Sequence, residues 1–265
     1  MAVDAAEGKA PSDLRWWWSR STNELGRAFV DECIANSERL RRILLVCGRW
    51  GTARARAEAA NALVGLATPI PQASGFIFWH SLRNVPAMLC FYWYNIGALA
   101  SADYRAVQQM FATKLSKRPL RDTLPAALPP GHYDSVNDWK FLNDRQEYKL
   151  PASRYFGRLI DAEVGDVART AEEGDVLFDT LEMLIALELA HRRLAQIKAS
   201  AIGHFWVPVG KFVWREDASP SLRDFETLRP DSAFLTAGFF GGTADGAKAA
   251  VEAVNDHLSR TNLRW

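Results

Sequence analysis

The 265-residue chain is 48% hydrophobic and 24% charged, with 32 basic against 31 acidic side chains. That composition supplies a sizeable core, and a net charge of +1 excludes a chain organised around a polyanion by long-range attraction. It also excludes a disulfide scaffold: the three cysteines, Cys33, Cys47 and Cys90, lie in apolar helical contexts without a close pair and read as reduced thiols of a cytoplasmic protein.

Met1–Ala10 is small and acidic and lacks the basic start and apolar run of a secretory signal. Residues 1–20 read as a flexible tail that ends in Trp16-Trp17-Trp18. Three adjacent indoles carry a large apolar area, so they either fold back onto the domain or form a surface for a partner. From Ser21 the pattern Ser-Thr-Asn-Glu is a capping box. It opens a helix to about Cys47, with Leu25, Phe29, Cys33, Leu40, Ile43, Leu44 and Cys47 expected inward. Gly48–Gly51 reads as a break, and Thr52 caps a second helix carrying Ala55, Ala59, Ala62, Leu63 and Leu66. Thr68-Pro69-Ile70-Pro71 ends it. This αα-hairpin gathers Arg39, Arg41, Arg42, Arg49, Arg54 and Arg56 around its turn. With Trp50 among them they could grip a phosphate backbone, but Glu38 and Glu58 lie close by, and a solvated turn is the plainer reading.

Residues 82–100 are apolar around the whole circumference, which predicts a fully buried central helix. The charge-free run from Asn84 to Ser101 approaches the length of a membrane span, yet Pro86, Asn95 and Gly97 punctuate it and argue for burial in protein. Ser101 or Asp103 then caps an amphipathic helix reaching Leu115, with Tyr104, Val107 and Phe111 on one face. Residues 116–135, rich in proline, read as a loop and a possible boundary between two halves. Helices are expected again at 135–147, 153–170 and 175–201. The aromatic and β-branched run 204–215 reads as a short extended segment. A short helix from Ser219-Pro220, a turn at Gly238–Gly242 and a closing helix, Ala244–Arg260, complete a mainly α, multi-helix domain spanning 21–265.

Catalytic patterns are sparse. Glu188 and His191 form one Glu-x-x-His pair, whereas a di-iron bundle needs two, so a solvated or structural role is expected. The five histidines show no spacing suited to zinc. Gly241–Lys248 lacks the Gly-Lys-Ser/Thr order of a phosphate loop and reads as a helix entry. Asp161, Glu163, Asp166, Glu172, Glu173, Asp175 and Asp179 form one acidic concentration, expected as a solvated face. If it converged on a divalent ion, it would serve a metal-dependent nuclease or nucleotide hydrolase. No catalytic residue, metal ligand or cofactor is assigned.

Three segments resemble a known kind of domain. Leu82-Arg83-Asn84-Val85-Pro86-Ala87-Met88-Leu89 running to Gly97-Ala98-Leu99-Ala100-Ser101-Ala102-Asp103-Tyr104, Phe205–Arg215 with its Trp-x-Pro-x-Gly-x-Phe order, and Ala237-Gly238-Phe239-Phe240-Gly241-Gly242 are similar to the C-terminal helical domain of large prokaryotic antiphage-defence proteins. There it follows sirtuin-like, TIR, Schlafen-type or ATPase domains. The resemblance implies no catalytic residues, and it implies that this chain is a separate subunit or a piece of a larger protein. The resulting expectation is a non-enzymatic sensor, scaffold or regulatory subunit. It would bind a separately encoded protein or a second copy through Trp16, Trp17, Trp18, Arg49, Trp50 and Arg54, with no membrane involvement.

Overall fold

The computed structural model of the chain describes residues 14–67, 82–115, 122–128, 140–142, 150–165, 167, 170–200, 207–214 and 221–260. Among these residues the chain is mainly helical, with ten α-helices and no strand.

Helix α1, Leu14–Trp50, is longer than expected at both ends. It begins before the Ser21 capping box, so Trp16, Trp17 and Trp18 belong to its first turns; their side chains lie outside the described residues. It also runs through Gly48 and stops at Gly51, whose N–H closes the last turn on the Cys47 carbonyl at 2.9 Å. Gly48 is therefore no helix break. A Cβ there would overlap the carbonyl oxygen of Tyr94, so glycine is what lets α1 approach the next long helix.

Helix α2, Ala53–Ala67, buries Ala59, Leu63 and Ala67, while Ala62 and Leu66 of the expected stripe face water. Helix α3, Val85–Ala100, places Pro86 in its first turn, where no N–H is needed. All its residues except Pro86 and Ala100 are buried. Neighbours cover it on several sides: α1 along its length, then α2, helix α4 (Tyr104–Ala112) and helix α7 (Ala171–Ser200). Its one polar residue, Asn95, donates from Nδ2 to the Phe91 carbonyl one turn earlier, at 2.7 Å. Asp103 caps α4 by accepting the Ala106 N–H at 3.0 Å.

The proline-rich stretch is not wholly loop. Lys114 and Thr123 form an isolated antiparallel bridge, and Leu124–Ala127 is a short helix, α5, whose Leu124, Pro125 and Ala126 are buried. Lys140–Leu142 is a 3-10 turn. Helix α6, Pro151–Glu163, ends well short of residue 170. In α7 every residue from Phe178 to Ala190 is buried, without a solvent stripe.

Of the expected extended run, 207–210 has no regular structure and Lys211–Trp214 is a 3-10 turn; 204–206 and 215 lie outside the described residues. The physical reason is visible in Lys211, whose backbone N–H is taken by a side chain, the Ser153 hydroxyl, at 2.9 Å, and not by a neighbouring strand. Helices α8 (Leu222–Glu226) and α9 (Ala233–Thr236) lead to a turn with positive φ at Gly238, Phe240, Gly241 and Gly242. Helix α10, Ala244–Arg260, closes the domain against α7 and α8. Phe225, Phe234, Phe239 and Phe240 form a chain of edge and tilted ring contacts under that turn.

Candidate functional site

Of the residues expected to bind a partner, Arg49, Trp50 and Arg54 have side chains among the described residues, and the structure separates Arg49 from the other two. Arg41, Leu44, Leu45 and Gly48 are the buried side of α1, so the residues on the opposite side, about half a turn away, face out. Ile43, Val46 and Trp50 do so at 52%, 50% and 62% exposure, spaced three and four residues apart on one face. Exposed Arg39 and Arg42 lie on the same stretch of α1, and exposed Arg54 opens α2 just beyond Trp50. The helical stripe predicts Ile43 and Leu25 as inward residues, yet Leu25 too is exposed, at 58%. Both are corrected by the rotation of α1 that brings Arg41 and Gly48 against α3.

Arg49 does not share the free surface of Trp50. Its guanidinium donates to the Val167 carbonyl and lies 4.7 Å from the Trp50 ring centre. It is a strut that ties the end of α1 to the segment after α6 and props the indole outward. Arg41, grouped by sequence with the surface arginines, is fully buried. It donates to Glu163 Oε1 at 2.6 Å, to the Ile34 carbonyl at 2.5 Å and to the Ser37 hydroxyl at 2.6 Å, and it lies 4.9 Å from the Trp93 ring centre. Arg56 pairs with Asp103 at 2.6 Å on one wall of a cleft of about 500 Å³ between α2, α4 and α9.

The acidic concentration is not a uniform solvated face. Glu163 is consumed by Arg41, and Glu172 is exposed. Asp166 lies outside the described residues. Asp175 and Asp179, however, meet on Lys211, whose ammonium contacts Asp175 and lies 3.5 Å from Asp179 Oδ1, and Asp161 stands beside Asp175. Beneath them is Glu182, buried on α7. Its carboxyl accepts the Ser153 hydroxyl at 2.6 Å and the Tyr92 hydroxyl at 3.3 Å. Burial pushes Glu182 up to about 8, with the Asp179 carboxylate adding to the rise and Ser153 and Lys211 opposing it. Asp161 is pushed up to about 6, first by burial and then by the neighbouring Asp175 carboxylate. The Tyr92 hydroxyl is raised by burial and by Glu182. Sequence spacing could not find this group, because Tyr92, Ser153, Glu182 and Lys211 come from four separate elements.

Glu188 of the Glu-x-x-His pair is buried and accepts the Phe240 N–H at 3.0 Å and the Arg192 Nε–H at 3.0 Å. It holds the strained turn before α10, a structural task. The Gly241–Lys248 stretch is a helix entry in which Thr243 Oγ1 accepts the Gly246 N–H at 3.1 Å. Among the described residues no group of three or more His, Cys, Asp or Glu is placed to hold a metal ion, and no helix is long and apolar enough to cross a membrane. No protein-family model, no curated protein and no solved structure matches the chain.

Proposed function

We propose that the chain is a non-enzymatic binding subunit, a sensor, scaffold or regulator, that docks a separately encoded protein on the exposed face of α1. The single observation that carries this reading is the Ile43, Val46 and Trp50 row: three large apolar side chains at least half exposed on one face of a helix whose opposite side packs on the core. A solvated helix face has little reason to spend its exposed positions this way, and aromatic anchors with a polar border are typical of surfaces that proteins bury against each other. Arg39, Arg42 and Arg54 border the row, Arg42 being paired with Glu38 at 2.9 Å. The complementary partner is therefore apolar at its centre and acidic at its edge. The resemblance to helical domains of antiphage-defence proteins supports a partner encoded beside this chain, such as an ATPase or an NAD-consuming effector.

The test is co-expression with proteins from neighbouring genes, followed by size exclusion with light scattering. A complex that forms with the native chain and is lost in a folded Ile43→Asp, Trp50→Asp double variant is the expected result. No complex with any neighbour, or one indifferent to the double variant, would overturn the docking reading.

A second reading, hydrolysis by a metal ion held on the 161–179 carboxylates, would draw on the neighbouring Asp161, Asp175 and Asp179, but among the described residues no three such groups are placed to hold an ion. The position of the Lys211 ammonium between Asp175 and Asp179 counts against it, because a divalent ion would have to displace a cation already bonded there.

A further inference from the structure

Residues 207–214 cross α6 and α7 without regular backbone pairing. Val207, Val209 and Phe212 are buried beneath them. Two polar devices hold the segment: the Lys211 ammonium on Asp175 and Asp179, and the Lys211 N–H on Ser153, whose hydroxyl in turn donates to Glu182. Lys211 also lies over the Phe178 ring, 5.3 Å from its centre, and against Gly157, where a Cβ would stand 2.9 Å from Lys211 Cε. Gly210 closes the last gap. A Cβ at Gly210 would overlap Glu182 Oε2, so with the segment in place the Gly210 backbone stands directly against that oxygen and leaves no room between them for a methyl group.

This geometry sets a condition on Glu182. The groups that face it are the Tyr92 hydroxyl from α3, the Ser153 hydroxyl from α6, Asp179 from α7 and Lys211 from the segment itself, with Asp161 and Asp175 further out around Lys211. A carboxylate there would stand beside a second carboxylate, and the nearest cation is already engaged by Asp175 and Asp179. The Ser153 and Tyr92 hydroxyls replace only part of the hydration that an ionised carboxyl loses on such burial, so ionisation there is costly. Water can reach Oε2 where Gly210 now lies if the segment moves.

We infer that residues 207–214 form a proton-controlled latch: neutral Glu182 keeps the segment shut on α6 and α7, and loss of its proton to solvent lifts the segment and uncovers Val207, Val209 and Phe212. The inference stands apart from the docking face of α1, since it uses none of those residues. The high proton affinity of Glu182 fits the closed state, and linkage gives the response. Opening grows about tenfold per pH unit between the carboxyl's ordinary range and its raised value near 8, then levels off.

Hydrogen exchange read by mass spectrometry on the full chain between pH 5.5 and 8.5, corrected for chemical exchange, tests this. Protection of the 207–214 peptide is expected to fall about tenfold per pH unit toward 8 while peptides of α3 and α10 keep theirs. Glu182→Gln, a neutral mimic, should hold the segment shut across the range. Gly210→Ala, which crowds the carboxyl, should leave it open at every pH. A pH-independent 207–214 peptide in the native chain, or loss shared equally by α3 and α10, would overturn the latch. So would a Glu182→Gln variant that opens with pH as the native chain does. Should neither variant fold, the contrast between 207–214 and α3 in the native chain decides alone.

Discussion

Gly48 of α1 lies against the carbonyl oxygen of Tyr94 on α3, and the relation is answered from the other side, where Gly97 of α3 lies against the carbonyl oxygen of Leu45. A Cβ at either glycine would overlap backbone, which cannot rotate away as a side chain can. The two helices therefore cross at backbone contact, and everything on α1 is oriented by that crossing: Leu44 and Leu45 inward, Ile43, Val46 and Trp50 outward.

Alanine at either position should force the helices apart. Overpacking costs about 1–3 kcal/mol in cores that can adjust, and a backbone clash gives little room to adjust. Gly48→Ala and Gly97→Ala should each lower the urea midpoint by at least that equivalent. Gly65, in the last turn of α2 with open space around it, is the control. Gly65→Ala should stabilise by up to about 1 kcal/mol through helix propensity alone. Equal effects at all three sites would show that the crossing is not tight.

Ile43 and Leu44 are adjacent, yet they should respond oppositely to a charge. Leu44 is 2% exposed and Ile43 52%. Leu44→Asp buries an unpaired carboxylate and should unfold the domain, whose total stability is of the order of 5–15 kcal/mol. Ile43→Asp should stay within about 0.5 kcal/mol of the native chain in a thermal melt. The same logic predicts that Leu89→Asp, on fully covered α3, yields no cooperatively melting protein.

Removing Arg41 leaves Glu163 without its bidentate partner and takes the cation off the Trp93 ring. Breaking a buried pair from one side costs about 3–5 kcal/mol, so Arg41→Ala should be among the most damaging substitutions on α1. Arg41→Lys should recover only part of the loss, because an ammonium cannot fork to both Glu163 oxygens while reaching the Ile34 carbonyl. Denaturation at low and high salt should give the same difference, since screening barely reaches a buried pair.

The raised carboxyls make stability fall as pH rises. Glu182 has its ordinary value near 4.5 when unfolded and about 8 when folded. Its contribution is fully present below about 4.5 and is lost as pH climbs through 8. Asp161, raised to about 6, acts in the same direction over a lower window. Each proton involved sets a slope of about 1.4 kcal/mol per pH unit within its window. Melting temperatures measured from pH 5 to 9 should decline, and Glu182→Gln should flatten the part between 6 and 8. A native melting temperature that rises across that range would contradict the buried, protonated state of Glu182.

Much of the helical layout was readable from the chain alone, because local signals carry it. The full-circumference apolar run of 82–100 contains α3, Pro86 marks its first turn, and the expected closing helix and α10 share the same ends, Ala244 and Arg260. Such signals are set by residues within one or two turns of each other. The break expected across Gly48–Gly51 falls at Gly51, and Gly48, which stays helical, shows where that logic stops. A glycine required by a neighbouring helix is locally indistinguishable from one that ends its own.

The functional surfaces depended on tertiary placement. Arg41 and Arg49 belonged by spacing to one arginine-studded turn, yet packing against α3 and Glu163 buried the first, and the Val167 carbonyl drew in the second. Ile43 fitted an inward stripe until the rotation of α1 turned it to solvent with Val46 and Trp50. The carboxylates of 161–179 had the composition of a solvated face, but whether a carboxyl is solvated depends on what covers it, and Glu182 and Lys211 arrive from outside that run. Composition and periodicity determined that this chain folds as packed helices, because burial follows local pattern. Which of its polar and aromatic side chains are available to anything else was decided only when distant segments came together, because availability is a property of the neighbours and not of the residue.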